Sequence, residues 1–275
     1  MRELDRNSAA NTPAVPTALR GRSLTSPDVL AGTVAIVGRG RVGRAIAQAL
    51  KGAGVDVAGP FGRDETPEAD VILLCVPDAA IPAAAASMAG RARMVGHTSG
   101  ATPLSALAPS GAAAFGLHPL QTFPGDSGDS LRFQGCGCAV AGSDSESLDA
   151  ATALARALGM NPFEIADADR PAYHAAASVA SNFLVTLEAA AEAIAAGAGL
   201  DPDTARASLA PLVRASVDNW ARLGPAQALT GPVARGDEPT VASQRAAVER
   251  VAPELADLFD SLLAQTRRLA SEGSL

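Results

Sequence analysis

With 275 residues, 48% of them apolar and 19% charged, the chain has a folded protein's composition and enough material for about two domains. A formal charge of −7 gives no positive field to attract a phosphate backbone, which excludes nucleic acid as an expected partner. Three cysteines, Cys75, Cys136 and Cys138, are too few for a disulfide framework, and Cys136-Gly137-Cys138 lacks the second ligand pair that a zinc site needs, so no metal is expected.

Residues 1–30 carry many breakers, among them Pro13, Pro16 and Pro27, with no apolar period, and read as a disordered tail. No signal-like apolar centre and no membrane-length apolar run stands out, so a cytoplasmic location is expected. From Thr33 short apolar runs alternate with glycine turns and alanine-rich helical stretches, the pattern of βαβ units. The predicted strands are Thr33–Val37, Val55–Ala58, Val71–Val76, Met94–His97, Ala114–Leu117, Cys138–Ala141 and Phe163–Ile165, forming a parallel sheet over residues 31–166. At Asp167-Ala168-Asp169-Arg170-Pro171 capping carboxylates precede a proline suited to a first turn, so a long helix should start there and run to Gly197 or Gly199. Further helices are predicted over Pro202–Leu223 and Val241–Ala270, making 167–275 an all-helical substrate and dimerisation domain. The fold class expected is therefore α/β, a Rossmann-type parallel sheet followed by an all-helical domain.

Val34-Ala35-Ile36-Val37 runs into Gly38-Arg39-Gly40-Arg41-Val42-Gly43 and then into a helical stretch, which is strand, G-x-G-x-x-G and helix in order. Gly38 permits the tight turn, Gly40 lets a diphosphate approach the backbone and Gly43 lets helix pack on strand, while free amides at the helix start bind the phosphates. After the second strand, where an NAD site carries an acidic residue, the segment is Gly59-Pro60-Phe61-Gly62-Arg63-Asp64. Arg63, with Arg39 and Arg41 near it, favours the 2′-phosphate of NADPH (NADP), and Asp64 is the rival ligand for an unphosphorylated ribose and NAD. Val76-Pro77-Asp78 ends the third strand at the carboxyl edge of the sheet; Val76 and Pro77 belong to the coenzyme site, and Asp78 is read as a helix cap.

Hydride delivery to a carbonyl needs a proton donor. Lys51, the chain's one lysine, lies at the far end of the helix after the glycine turn, so histidine is considered instead. His97 and His118 lie at the ends of predicted strands and His174 opens the long helix; His118 is the first choice as acid, His174 the second, and His97 is read as structural. His174, Ser178 and Asn182 recur at i, i+4 and i+8, which puts them on one helix face and argues for a polar cleft, with solvent exposure as the alternative. Ser99 in Gly96-His97-Thr98-Ser99-Gly100 is a candidate catalytic residue beside the substrate, and Ser178 and Arg235, the latter in Gly231-Pro232-Val233-Ala234-Arg235-Gly236-Asp237, are candidates for binding it, Arg235 through a bidentate grip on a carboxylate or, alternatively, tied up with Asp237.

On the glycine motif, Val76-Pro77-Asp78, His97-Thr98-Ser99-Gly100, Gly116-Leu117-His118-Pro119-Leu120-Gln121-Thr122-Phe123, Tyr173-His174-Ala175, Ser181-Asn182 and Leu229–Asp237, the chain resembles Rossmann-like proteins with a C-terminal domain of unknown function 2520. The resemblance covers roughly residues 32–270 and implies an NADP-dependent oxidoreductase, in some relatives one similar to an alternative ketopantoate reductase. More distantly the layout resembles pyrroline-5-carboxylate reductase, prephenate dehydrogenase and the 3-hydroxyacid dehydrogenases, members of the 6-phosphogluconate dehydrogenase-like group. The resemblance implies a catalytic histidine at His118-Pro119, catalytic side chains at His174, Ser178 and Asn182 where relatives use lysine and asparagine, and a homodimer through the helical domains. The expectation is an enzyme that reduces a small 2-keto acid or related carbonyl held between the two domains; the alternative is a non-catalytic NADP(H)-binding sensor.

Overall fold

In the computed structural model residues 32–274 are described, and the expected tail, 1–30, lies outside them. Strands β1 (Val34–Val37), β2 (Val57–Phe61), β3 (Val71–Leu74), β4 (Met94–His97), β5 (Ala113–Pro119), β6 (Gly137–Gly142) and β7 (Asn161–Glu164) form one sheet in the order β2-β1-β3-β4-β5-β6-β7. The central strands are apolar on both faces because helices cover both. Ile36, Leu73, Met94, Phe115 and Leu117 pack with α1 (Arg41–Gly52) and α3 (Ser145–Ala157), while Ala35, Ile72, Leu74 and Val95 pack with α2 (Ile81–Ser87) and the 3₁₀ segment Leu104–Ser110. This is the Rossmann-type class expected.

Two strand expectations are corrected. The sheet is not wholly parallel: β6 runs antiparallel to β5, with Phe115 opposite Gly142 and His118 opposite Ala139. The β5–β6 connection contains only the 3₁₀ turn Asp129–Leu131 and no crossover helix, so the chain turns back at the edge where β5 ends. The second strand does not stop at Ala58 but continues through Gly59 and Pro60 to Phe61, with an irregular register against β1. Pro60 is tolerated because β2 is an edge strand, where a missing amide need not break a ladder; the other edge strand, β7, also carries a proline, Pro162.

The chain divides into two compact units after Tyr173, within α4 (Arg170–Ser178). The predicted long helix is interrupted by a wide π turn, Val179–Phe183, before continuing as α5 (Leu184–Gly197). Contrary to the expectation of no membrane-length apolar run, the helix Asp167–Gly197, with mean hydropathy 1.3 in its most apolar stretch, is long and apolar enough to cross a membrane by length and composition alone. Alanine accounts for much of this, and Glu188 and Glu192 stand within α5.

α6 (Pro202–Leu223) is capped by Asp201, whose side chain accepts the Thr204 amide at 3.1 Å, and a bidentate Arg206–Glu192 pair at 2.8 Å ties α6 to α5. After α7 (Pro225–Ala228), the single helix expected over 241–270 proves to be two, α8 (Glu238–Val251) and α9 (Ala256–Glu272). Pro253 forces the break, since it lacks the amide that would continue α8.

Candidate active site

The glycine turn has the geometry of a diphosphate cradle. Gly38 has φ +126°, and a Cβ there would collide with the Cys75 carbonyl; a Cβ on Gly43 would collide with the Gly38 carbonyl; a Cβ on Gly40 would meet nothing within 4 Å. The first and third glycines thus serve close approach of backbone to backbone, and the second faces open space. The first helical bond of α1 runs from Arg44 N to Gly40 O at 3.1 Å, leaving the amides of Arg41, Val42 and Gly43 ahead of the ladder. The turn lies between β2 and β3, at the point where strand order reverses, with Val76 and Pro77 following the end of β3. These residues fit a dinucleotide diphosphate.

At the end of β2, Arg39 rather than Arg63 carries the organised contact. Its Nε donates to Pro60 O at 3.3 Å and its Nη2 to Glu65 Oε2 at 2.5 Å, while the Gly62 amide donates to the same Glu65 oxygen at 2.5 Å. Arg63 and Asp64 are exposed and make no ion pair among the described residues. Arg41 turns away from the ribose end and donates to Phe123 O at 3.2 Å. Asp78 opens a 3₁₀ turn, Asp78–Ala80, but its side chain makes no cap, which corrects its expected role.

One face of the sheet then builds the reactive edge in rows. Register aligns Leu74, His97 and Gly116 across β3–β5, and Ala141 on β6 continues that row. Gly116 has no side chain because the guanidinium of Arg170, only 2% exposed, lies against it; a Cβ there would meet Arg170 Nη2. Arg170 Nε donates to Asp167 Oδ1 at 2.6 Å and Nη1 to Ser99 O at 3.4 Å. His97 is fully buried and both its ring nitrogens lack a hydrogen-bond partner among the described residues. Burial, then the Arg170 charge, lowers its pKa to about 4, so the ring is neutral. The Ser99 hydroxyl is occupied within its own loop, donating to Thr102 Oγ1 at 2.9 Å and accepting the amides of Ala101 and Thr102 at 3.2 and 2.9 Å.

The next row is His118, Ala139 and Phe163 across β5–β7. The small Ala139 leaves room for Tyr173, whose ring makes edge contacts with His118 and with Phe163, at centroid distances of 5.5 and 6.0 Å. The Tyr173 hydroxyl lies 2.7 Å from His118 Nδ1. Burial pushes the phenol pKa up to about 12, so it remains protonated at neutral pH. Arg170 and Tyr173 stand three residues apart, one helical turn, which is why one helix start serves two successive rows. Tyr173 was absent from the sequence candidates; its signal was its place beside His174 as the chain's one tyrosine.

Burial pushes the thiols of Cys75, to about 12, and of Cys138 upward, so neither is a thiolate nucleophile at neutral pH. A cavity of about 460 Å³ is lined by Val140, Ala141, Gly142, Ser143, Glu164 and Asp167.

In the helical unit, His174 and Ser178 are half-buried and Asn182 is exposed. The uniform helical step assumed for their spacing fails across Val179–Phe183, where the wider turn rotates less per residue; Ser181 is half-buried in this segment instead. Arg235 is exposed in a turn, and the expected alternative, a pair with Asp237, is not formed: Asp237 caps α8, accepting Thr240 N at 3.2 Å and Thr240 Oγ1 at 2.7 Å.

Residues 136–266 match the family described as a domain of unknown function (DUF2520). No curated protein matches the sequence. Among solved structures, a Thermotoga maritima protein is similar at 25% identity, with TM-score 0.70 over 87% of this chain and 99% of that one. A proposed NADP oxidoreductase from Bacteroides fragilis is similar at 19% identity, also with TM-score 0.70 over 87% and 99%. A pyrroline carboxylate reductase from Plasmodium falciparum, solved with NADP bound, is similar at 10% identity, TM-score 0.54, over 88% and 99%. The strand order and the glycine turn give the chain a Rossmann-type fold, which it shares with these solved structures, and its residues 136–266 are similar to the DUF2520 domain.

Proposed function

We propose that the protein is an NADPH-dependent oxidoreductase that reduces a small 2-keto acid or related carbonyl, with His118 as proton donor. The observation that carries this reading is the 2.7 Å contact between His118 Nδ1 and the Tyr173 hydroxyl, at the carboxyl end of β5, on the edge that also holds the glycine turn. Gly38, Gly40 and the amides of Arg41, Val42 and Gly43 would hold the diphosphate, with Val76 and Pro77 beside it; the bound coenzyme supplies a hydride.

Tyr173 sets the state of the imidazole. A phenol hydroxyl both donates and accepts, so it donates into Nδ1 of a neutral ring, leaving the hydrogen on Nε2, and accepts from Nδ1–H of an imidazolium. In the imidazolium form Nε2–H passes its proton to the oxygen of the reduced carbonyl; the ring is left neutral with its remaining hydrogen on Nδ1 or, after exchange, on Nε2, and is reprotonated from solvent. The Ser99 loop, braced by Thr102 and held at its carbonyl by Arg170, lines the same edge as a backbone element. We assign His174 as the second candidate donor, Asn182 to the catalytic side chains, and Ser178 and Arg235 to the substrate.

The test is consumption of NADPH by the purified protein against ketopantoate, other 2-keto acids, prephenate-like acids and cyclic imines. Turnover on any keto acid supports the reading; tight NADPH binding with no oxidation across the panel would replace it with the sensor. Exposed Val179, Phe183, Val185, Leu212, Val217 and Trp220 on the helical unit support a homodimer, and a cytoplasmic location goes with this reading.

A further inference from the structure

The ion pair at the end of β2 stands where a Rossmann-type fold reads the 2′ position of the adenosine ribose. We infer that Glu65 sets coenzyme choice in this protein, its carboxylate occupying on Arg39 and the Gly62 amide the place that a 2′-phosphate would take. The inference rests on the dinucleotide reading of the glycine turn and adds to it a residue that opposes the phosphorylated coenzyme.

A single oxygen, Glu65 Oε2, receives both Arg39 Nη2 and the Gly62 amide at 2.5 Å. A guanidinium and a backbone N–H converging on one anionic oxygen are the donor set that phosphate oxygens use. Arg39 is held to this place from two sides, by Nε on Pro60 O at 3.3 Å and by its own carbonyl, which accepts Arg44 Nε at 2.7 Å. Gly62 leaves the space: a Cβ there would approach Glu65 Oε2 at 3.0 Å and Arg39 Nη1 at 3.1 Å.

Arg39 and Glu65 are 58% and 46% exposed at their side chains, so the pair is weak enough for a ligand to displace. An unphosphorylated ribose leaves the pair intact and finds in Glu65 an acceptor for its hydroxyls, the role an acidic residue has at this strand end. A 2′-phosphate must drive the carboxylate off Arg39 and then tolerate it as a neighbour of like charge. Glu65 therefore keeps NADPH affinity below what Arg39 alone would confer and narrows the gap to NADH.

Dissociation constants of the full chain for NADPH and NADH, read from the fluorescence of the reduced nicotinamide, test this with wild type, Glu65→Gln and Arg39→Gln. Both side chains lie at the surface, and a thermal melt checks that each variant is folded. Glu65→Gln should tighten NADPH by about 5- to 10-fold and leave NADH unchanged or weaker, and Arg39→Gln should weaken NADPH by about 10-fold with little effect on NADH. An unchanged NADPH-to-NADH ratio in Glu65→Gln, or weaker NADPH binding, overturns the inference alone. Failure of wild type to bind either coenzyme overturns the dinucleotide reading and this inference with it.

Discussion

Two hydrogen-bonded rings, His118 and Tyr173, concentrate the chemistry proposed here, and each can be removed separately. His118→Ala should lower turnover by ~10²–10⁴-fold with NADPH affinity nearly unchanged, because a proton donor acts in the transition state and not on the coenzyme's phosphates. Tyr173→Phe keeps the ring packing on Phe163 and loses only the hydroxyl at Nδ1. It should cost about 10-fold in kcat, the worth of one hydrogen bond, and shift the alkaline limb of the pH–rate profile, where a protonated donor is lost. Steady-state kinetics across pH checks both, and wild-type kcat in His118→Ala would exclude the role. At this scale the sequence disclosed His118 through its place after an apolar strand, but not Tyr173 or Arg170. Their importance comes from the rows of the sheet, where Gly116 and Ala139 make room for them, and those rows are set by pairing between residues far apart in the chain.

Among elements, the strand-turn-helix that carries the glycine motif was legible, since its first and third glycines each have a local reason to be glycine, whereas Gly40 faces open space. Gly43→Ala tests that reason: the new methyl meets the Gly38 carbonyl, so α1 must move off the turn. Coenzyme affinity should fall by at least ~10-fold in a titration while the far-ultraviolet spectrum stays native, and retained affinity would show that the helix start tolerates the shift. Less legible were the direction of β6, the break at Pro253 and the wide turn after Ser178. Periodicity reports that a segment is apolar or amphipathic; it does not report which way a strand enters the sheet, nor a single turn in which five residues replace four.

For the molecule as a whole, His97 makes stability depend on pH. Its folded pKa, about 4, is below the usual 6.5, so between those values the unfolded chain binds a proton that the native ring refuses. The neutral ring's contribution is complete above about pH 6.5 and is lost as pH falls toward 4, a change of roughly 3 kcal/mol. Denaturant midpoints measured from pH 7 to pH 4 should fall accordingly, and His97→Leu should flatten that fall; an equally steep loss in the variant would assign it to other groups. Self-association is the second property at this scale. With Phe183 and Trp220 56% and 57% exposed in the single chain, Phe183→Glu should convert a homodimer to monomer in light scattering, whereas a monomeric wild type would remove the dimer from consideration.

The prolines of the two outermost strands bear on how copies of this protein meet. Pro60 and Pro162 each leave a gap in the row of amides that a foreign strand would need for zippering onto the sheet, so both borders discourage the open-ended stacking that leads to fibrils.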